Sequence, residues 1–270
     1  MSEKATRVMI LIGYALFSLL PLYWLASVSF QQEFNFPPKP LPTDPTLSHY
    51  TTLFSKPSLV VSIINSILIG IMTAILSVLI SSMAAYAFGK LKFAGKKIVF
   101  LGVILTFLLP PNLNIVPLYS LFAEMGLLDN RFALIFLYQI LILPLNIFLF
   151  INYFDTIKES IVESAIVDGA GPIRRFYRIF LPLSKPAIVA GFIFGFRFSW
   201  GEYIFAQTFI RSRSQMLFPA TLQQAVYGGQ YTVNYDLMAA GAMVLLVPTL
   251  AVLIFGQDYL EIGLQLGGVD

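Results

Sequence analysis

The chain has 270 residues, 57% of them hydrophobic and 11% charged, which leaves too little polar surface to cover a soluble globule of this length. A formal charge of +3, from 17 basic and 14 acidic residues, is not the footprint of a nucleic-acid partner. No cysteine and a single histidine exclude disulfides, thiolate metal sites, thiol nucleophiles and any metal site built from several histidines.

A bilayer core of about 30 Å takes roughly 20 apolar residues as a helix. Val8–Phe30, Ser58–Gly89, Ile98–Ala123, Phe132–Phe154 and Leu237–Gln257 contain no Asp, Glu, Lys or Arg, and Pro186–Ile210 is interrupted only by Arg197 and Glu202. The predicted fold class is therefore all-α, a polytopic bundle of six transmembrane spans forming one domain over residues 1–270, with a multi-pass location in a lipid bilayer.

The first span follows Lys4 and Arg7 and ends near small residues, as a signal peptide does. Its apolar run of 23 residues exceeds the roughly 7–15 of such peptides and reads as an uncleaved helix. The connection from Gln31 to Pro57 holds Pro37, Pro38, Pro40, Pro42, Pro45 and Pro57, which argue against a regular helix and for extended or turn structure. His49 in this connection reads as a solvated loop residue. Pro110, Pro111, Pro117 and Pro144 are expected to kink or break spans three and four, leaving carbonyls that protein or a water-filled cavity must satisfy. Gly191 and Gly195 form a GxxxG in the fifth span, Pro186–Ile210, a weak signal for close helix approach in a chain with 18 glycines.

Basic residues set the orientation. Eleven lie before span one, between spans two and three, and between four and five, against five (Lys39, Lys56, Arg131, Arg211 and Arg213) in the other connections. Both termini and the loop from Asp155 to Pro186 are thus expected on the cytoplasmic side.

That loop, DTIKESIVESAIVDGAGPIRRFYRIFLPLSKP, predicts two short helices. Thr156 and Glu159 have capping-box spacing, and Ile161, Val162, Ala165 and Ile166 gather on one face away from Glu159 and Glu163. Gly169 and Gly171 stop the first helix. Pro172 suits the start of a second, where Ile173, Phe176, Tyr177 and Phe180 form an apolar stripe beside Arg174, Arg175 and Arg178, and Pro182 ends it. Such a pair docks on a protein or lies on lipid headgroups, and the pattern itself leaves both open.

The string Glu163-Ser-Ala-Ile-Val-Asp-Gly169, then nine residues, then Ile179-Phe-Leu-Pro182 resembles the EAA loop of binding-protein-dependent ABC importer permeases. Ser164 stands where that family usually has a second alanine. Asp168-Gly169-Ala170, Phe176 and LPLSKP are similar to its carbohydrate branch. Fainter likeness in LSHYTTLF, NIVPLYSLF and FSWGEYIF is similar to the second permease subunit of maltose-type importers. The tail ends LGGVD, unlike the lysine-containing tails common there. The resemblance implies a subunit that moves a sugar or related polyol across the cytoplasmic membrane by ATP-driven alternating access. Implied partners are a second homologous permease, two copies of a cytoplasmic ATPase and an external solute-binding protein. Glu163, Ala165, Asp168, Gly169, Ala170, Ile179 and Pro182 would form the ATPase-coupling set.

No P-loop, HExxH, GxSxG or GxGxxG occurs, so ATP and magnesium are expected on the partner ATPase, and this chain is read as neither an enzyme nor the holder of a cofactor. Within the fifth span, Glu202, Trp200 and Tyr203 are candidates for a polar translocation path and Arg197 for a helix anchor. A charge near mid-span costs about 2.5–3.5 kcal/mol on insertion scales and needs protein or water around it. The competing class is a stand-alone ion-coupled secondary transporter or channel, also consistent with six spans and broken helices.

Overall fold

In a computed structural model, residues 3–33, 41–42, 44–108, 110–227 and 233–265 are described. They form helices and, among the described residues, no strand; two isolated bridges pair Gln31 with Pro45 and Tyr227 with Val233. In chain order the helices are α1 Glu3–Ser29, α2 Ser48–Ser55, α3 Pro57–Lys90, α4 Lys96–Leu108, α5 Ile115–Glu124, α6 Ala133–Asp155, α7 Glu159–Val167, α8 Pro172–Arg175, α9 Leu181–Leu183, α10 Lys185–Trp200, α11 Ile204–Phe209, α12 Phe218–Val226 and α13 Tyr235–Gln265. A 3₁₀ turn, Pro111–Asn114, precedes α5, and a π turn, Phe176–Phe180, joins α8 to α9.

Among the described residues, four helices are long and apolar enough to cross a membrane, with segments Thr6–Ser29, Pro57–Lys90, Arg131–Asp155 and Tyr235–Gln257; a bent pair, Pro172–Leu183 and Lys185–Trp200, makes a fifth if counted as one span. The expected third span is split. Pro110 and Pro111 cannot donate to a helix ladder, and α4 ends at Leu108 before them. Pro117 is harmless in the first turn of α5, where amides have no intrahelical partner. Pro144 does not break α6, which runs through it without interruption.

Two compact units pack separately, residues 1–61 with 218–248, and 62–217 with 249–270. In the first, α1 buries none of its apolar window, as expected of a helix whose solvent is lipid. The proline-rich connection does contain a helix, contrary to expectation. The eleven residues between Pro45 and Pro57 leave room for α2, and Ser48 N–H donates to Thr46 Oγ1 at its start. His49 is part of this helix and half-buried, its Nε2 donating to the Gln31 carbonyl at 2.9 Å. Ser29 Oγ and Tyr50 Oη lie 2.8 Å apart and tie α1 to α2. Residues 34–40 and 43, and with them Pro37, Pro38, Lys39 and Pro40, lie outside the described residues, as does the LGGVD tail.

In the second unit, α3, α6 and α10 pack face to face through small residues. A Cβ on Gly195 would sit 2.9 Å from Ala74 Cα, closer than real side chains approach, so the α10 backbone rests directly on α3. Gly191 lies near Val78, Phe150 and Asn146, and Gly70 near Phe196 and Ser199. The GxxxG that was weak as a sequence signal is thus a real helix contact. Along α3, Ser62, Asn65, Ser66, Thr73, Ser77 and Ser81 are all buried. Asn146 Nδ2 donates from α6 to Ser77 Oγ at 2.8 Å and to the Gly191 carbonyl at 3.1 Å, joining the three helices at one point.

The Pro186–Ile210 stretch is also broken. Helix α10 stops at Trp200, and after Gly201, Glu202 and Tyr203 the chain restarts as α11.

Candidate functional site: the loop between α6 and α10

The loop begins where α6 ends. Thr156 Oγ1 donates back to the Tyr153 carbonyl at 2.8 Å, closing α6 rather than capping α7. The capping box is therefore not formed: the N-cap of α7 is Lys158, with no side-chain cap. Val162 and Ala165 are half-buried, while Ile161, Ile166 and Glu163 on the same helix are exposed.

The end of α7 explains the Asp-Gly-Ala triplet. Gly169 takes φ +73, the left-handed conformation that glycine adopts without penalty. Its N–H donates to the Ile166 carbonyl at 2.9 Å, and Ala170 N–H to the Ala165 carbonyl at 2.8 Å. This is a Schellman closure with Asp168 as C-cap, Gly169 at C′ and Ala170 at C″. Ala165, Asp168, Gly169 and Ala170 are thus one structural device, a fixed reversal. It leaves Val167, 87% exposed, and Ile173, 73% exposed, as apolar points beside the exposed carboxylates of Glu163 and Asp168.

Pro172 occupies the first turn of α8 as expected. The apolar stripe of the second helix splits: Phe176 and Phe180 are buried and Ile173 and Tyr177 are exposed. Pro182 is exposed, but the helix does not stop there. It continues to Leu183, because the chain has already switched to π hydrogen bonding, Leu181 N–H to the Phe176 carbonyl, ahead of the residue that lacks a donor. Ile179 is half-buried within the π turn. The turn away from the loop comes at Ser184, fully buried, whose Oγ donates to the Phe180 carbonyl at 2.7 Å. Pro186 follows without an N–H, and α10 leaves at 78° to the preceding helix.

Contacts that sequence reasoning missed hold the loop to the spans. Tyr86 of α3 is buried, and its hydroxyl donates to the Pro172 carbonyl at 3.0 Å. Its ring lies 5.4 Å from Phe176 and 4.9 Å from Phe180, and Phe180 in turn meets Phe154 of α6 edge-on at 5.3 Å. Tyr153 Oη donates to the Leu183 carbonyl at 3.3 Å, and Lys90 pairs with Asp155 at 2.7 Å, joining the ends of α3 and α6. The hydrogen-bonded partners lie 30 to 86 positions apart in sequence, and no local pattern marks them.

The intramembrane candidates part company. Glu202 Oε1 accepts from Phe205 N–H at 2.8 Å, and its Oε2 accepts from Ala206 N–H at 3.1 Å and from the Tyr138 hydroxyl at 2.9 Å. It organises the break between α10 and α11. Trp200 is 1% exposed, with its ring parallel to Phe196 at 6.0 Å, so its indole is part of the packing and offers no open stacking face. Tyr203 is half-buried. The Arg197 side chain is exposed and forms no hydrogen bond or ion pair among the described residues. It is not paired with Glu202, which lies past the end of α10.

At the start of α6 a second set of long-range contacts fixes residues 210–216. Asp129, at φ +57, accepts from Arg211 N–H at 2.9 Å and Ser212 N–H at 2.7 Å, and from the Ser212 hydroxyl. These bonds, led by the one from the Ser212 hydroxyl, hold its carboxyl below the usual aspartate range. Arg131 Nη1 donates to Asn65 Oδ1 at 2.6 Å, and Asn65 Nδ2 donates to the carbonyls of Ser214 and Met216.

The chain is similar to known proteins. A galactooligosaccharides transport system permease protein of Bacillus subtilis is 32% identical over 261 residues, covering 94% of this chain and 91% of that protein. A trehalose transport system permease protein of Mycobacterium tuberculosis is 29% identical over 261 residues, covering 96% and 94%. In fold, the chain is similar to a subunit in the crystal structure of a bacterial ABC transporter involved in the import of the acidic polysaccharide alginate, with a TM-score of 0.78 over 95% of both chains at 22% identity. The profile of the binding-protein-dependent transport system inner membrane component matches residues 77–264, a stretch holding both the Schellman loop and the α10–α11 break, and the chain belongs to that family.

Proposed function

We propose that the chain is a permease subunit of an ATP-driven importer that carries a sugar, from a monosaccharide to an oligosaccharide or related polyol, across the cytoplasmic membrane by alternating access. It works with a second homologous permease, two copies of a cytoplasmic ATPase and an external solute-binding protein. ATP and magnesium are held by the ATPase, and this chain supplies no catalytic group. Both termini and the Asp155–Pro186 loop face the cytoplasm.

The observation that carries this reading is the fixed reversal that leaves Val167 and Ile173 exposed beside the carboxylates of Glu163 and Asp168. Exposed apolar points held rigidly beside carboxylates and the exposed Arg174 and Arg178 suit a structured protein groove of mixed charge, which supports an ATPase as the occupant. Glu163 meets the ATPase, and the Ala165 to Ala170 closure, with Ile179 and Pro182 behind it, keeps the contact stiff. The names of the relatives support sugar as the cargo. Arg197, exposed in an apolar helix, anchors to the second permease, because a charge at that depth needs protein or water.

Purifying the chain with whatever co-assembles, then measuring ATP hydrolysis over a panel of sugars with the binding protein present, tests the proposal. Hydrolysis stimulated by one sugar class is expected. Uptake driven by an ion gradient with neither ATPase nor binding protein would overturn it. Orientation is checked with single cysteines at Ser160 and Ser48, both exposed, in a chain with no native cysteine. An impermeant reagent on intact cells should label the Ser48 site and spare the Ser160 site.

A further inference from the structure

The helix Pro172–Leu183 is tied at both ends by tyrosine hydroxyls from two different spans. Tyr86 of α3 reaches the carbonyl of its first residue, Pro172, at 3.0 Å, and Tyr153 of α6 reaches that of its last, Leu183, at 3.3 Å. The two ties are unequal. Tyr86 is 5% exposed, and its ring is wedged against Phe176 and Phe180, whereas the Tyr153 bond is longer and solvent-exposed. A hydrogen bond shielded from water holds its geometry better than one that water can replace.

Between the ties lies the π turn Phe176–Phe180, a helix form that is rare, less favourable than α and frequent at functional positions. It gives the helix a compliant middle, with the two buried phenylalanines facing Tyr86. The Lys90–Asp155 pair at 2.7 Å joins the same two spans just beyond the tyrosines. A push on the loop at Val167 or Ile173 therefore reaches α3 through the shielded Tyr86 bond and α6 through the buried Phe180–Phe154 contact and the exposed Tyr153 bond, the Tyr86 bond being the better-shielded of the two hydrogen bonds.

Resting on the reading of this loop as the ATPase contact, we propose that Tyr86 is the positioning residue that transmits loop displacement to α3. Its hydroxyl fixes the first turn of the loop's second helix to that span, and the π turn absorbs the change in register when the loop moves. The role of Tyr86 is in the coupling ratio, the sugar moved per ATP hydrolysed.

The test uses the assembled transporter in liposomes with the binding protein, comparing wild type, Tyr86→Phe and Tyr153→Phe. Tyr86→Phe keeps the ring and removes only the hydroxyl, so assembly and basal hydrolysis should match wild type. Sugar moved per ATP should fall about fivefold, the effect of one net hydrogen bond on an equilibrium, while Tyr153→Phe changes it by less than about twofold. Spin labels on introduced cysteines at Ser160 and Ala84 should show a broader loop-to-α3 distance distribution in Tyr86→Phe when ATP is bound. An unchanged ratio and distribution in Tyr86→Phe, with wild type coupled normally, overturns the assignment of Tyr86 alone. If wild type itself shows no sugar-stimulated hydrolysis, the reading of the loop as an ATPase contact fails first, and that of Tyr86 with it.

Discussion

The Tyr138 hydroxyl donates to Glu202 Oε2 at 2.9 Å, from a phenol buried within α6 to a carboxylate at the α10–α11 break. The same carboxylate receives two amides at the start of α11, so three donors depend on one side chain. Glu202→Ala should cost about 1–3 kcal/mol for each buried donor it strands, lowering the thermal midpoint of the purified complex by several degrees. Glu202→Gln keeps one acceptor oxygen but replaces the other with an NH₂ donor, stranding at least one of these donors, so its midpoint should fall by less than that of Glu202→Ala but still measurably. Equal loss of transport in both variants with no change in the midpoint would return Glu202 to the translocation path.

Close backbone approach makes a second prediction at α10. Gly195→Ala places a methyl carbon 2.9 Å from Ala74 Cα and should destabilise by about 1–3 kcal/mol through overpacking. Gly191→Ala meets its neighbours at 3.4 Å, an ordinary contact, and should be tolerated. Thermal melting monitored by loss of monodisperse complex separates the two, and equal midpoints would show that α10 shifts freely along α3.

At the loop, Gly169→Val puts a β-branched residue at φ +73, a conformation that costs L-residues about 1–2 kcal/mol. The Schellman closure should open and Val167 should lose its fixed position, while the exposed site spares the rest of the fold. Transport and sugar-stimulated hydrolysis should both fall with membrane levels maintained. Glu163→Lys, which reverses a charge on the same surface, should give the same pattern. Full activity in both would place the docking surface elsewhere.

The Asp129 clasp predicts a pH profile. Its carboxyl titrates below the ordinary value, so its contribution is complete above about pH 3.9 and disappears only as pH falls through the lower folded value. Amide exchange at Arg211 and Ser212 should stay flat from about pH 8 to about pH 5 after correction for intrinsic rate, and rise only in stronger acid. Release near neutral pH, or an unaltered profile in Asp129→Asn, would contradict the clasp.

Much of this was legible locally. Composition announced a membrane helix protein, and Gly169 and Pro172 marked the reversal in the loop because each obeys a one-residue backbone rule. Pro110 and Pro111 likewise announced the break after α4. What could not be read was set by tertiary contact. Pro144 sits in an uninterrupted helix, Pro182 is accommodated by a π turn formed upstream, and Thr156 closes the helix before it instead of opening the one after. Trp200 and Glu202 stand as candidates for a solute path because ring faces and carboxylates suit sugars. Their neighbours within this chain, Phe196 and Tyr138, are fixed by packing that no spacing rule encodes. Tyr86 carries no signal in its own segment, since everything it touches lies on the far side of the chain.

The bend at Ser184 has a mechanical consequence. With 78° between the loop helix and α10, only about a fifth of any motion along the loop helix, the cosine of that angle, is directed along the axis of α10. The remainder acts sideways. An ATPase drawing on the loop would therefore swing α10 like a spoke about its contact with Ala74 rather than slide it like a piston, and the glycine that lets the two backbones touch would be the pivot.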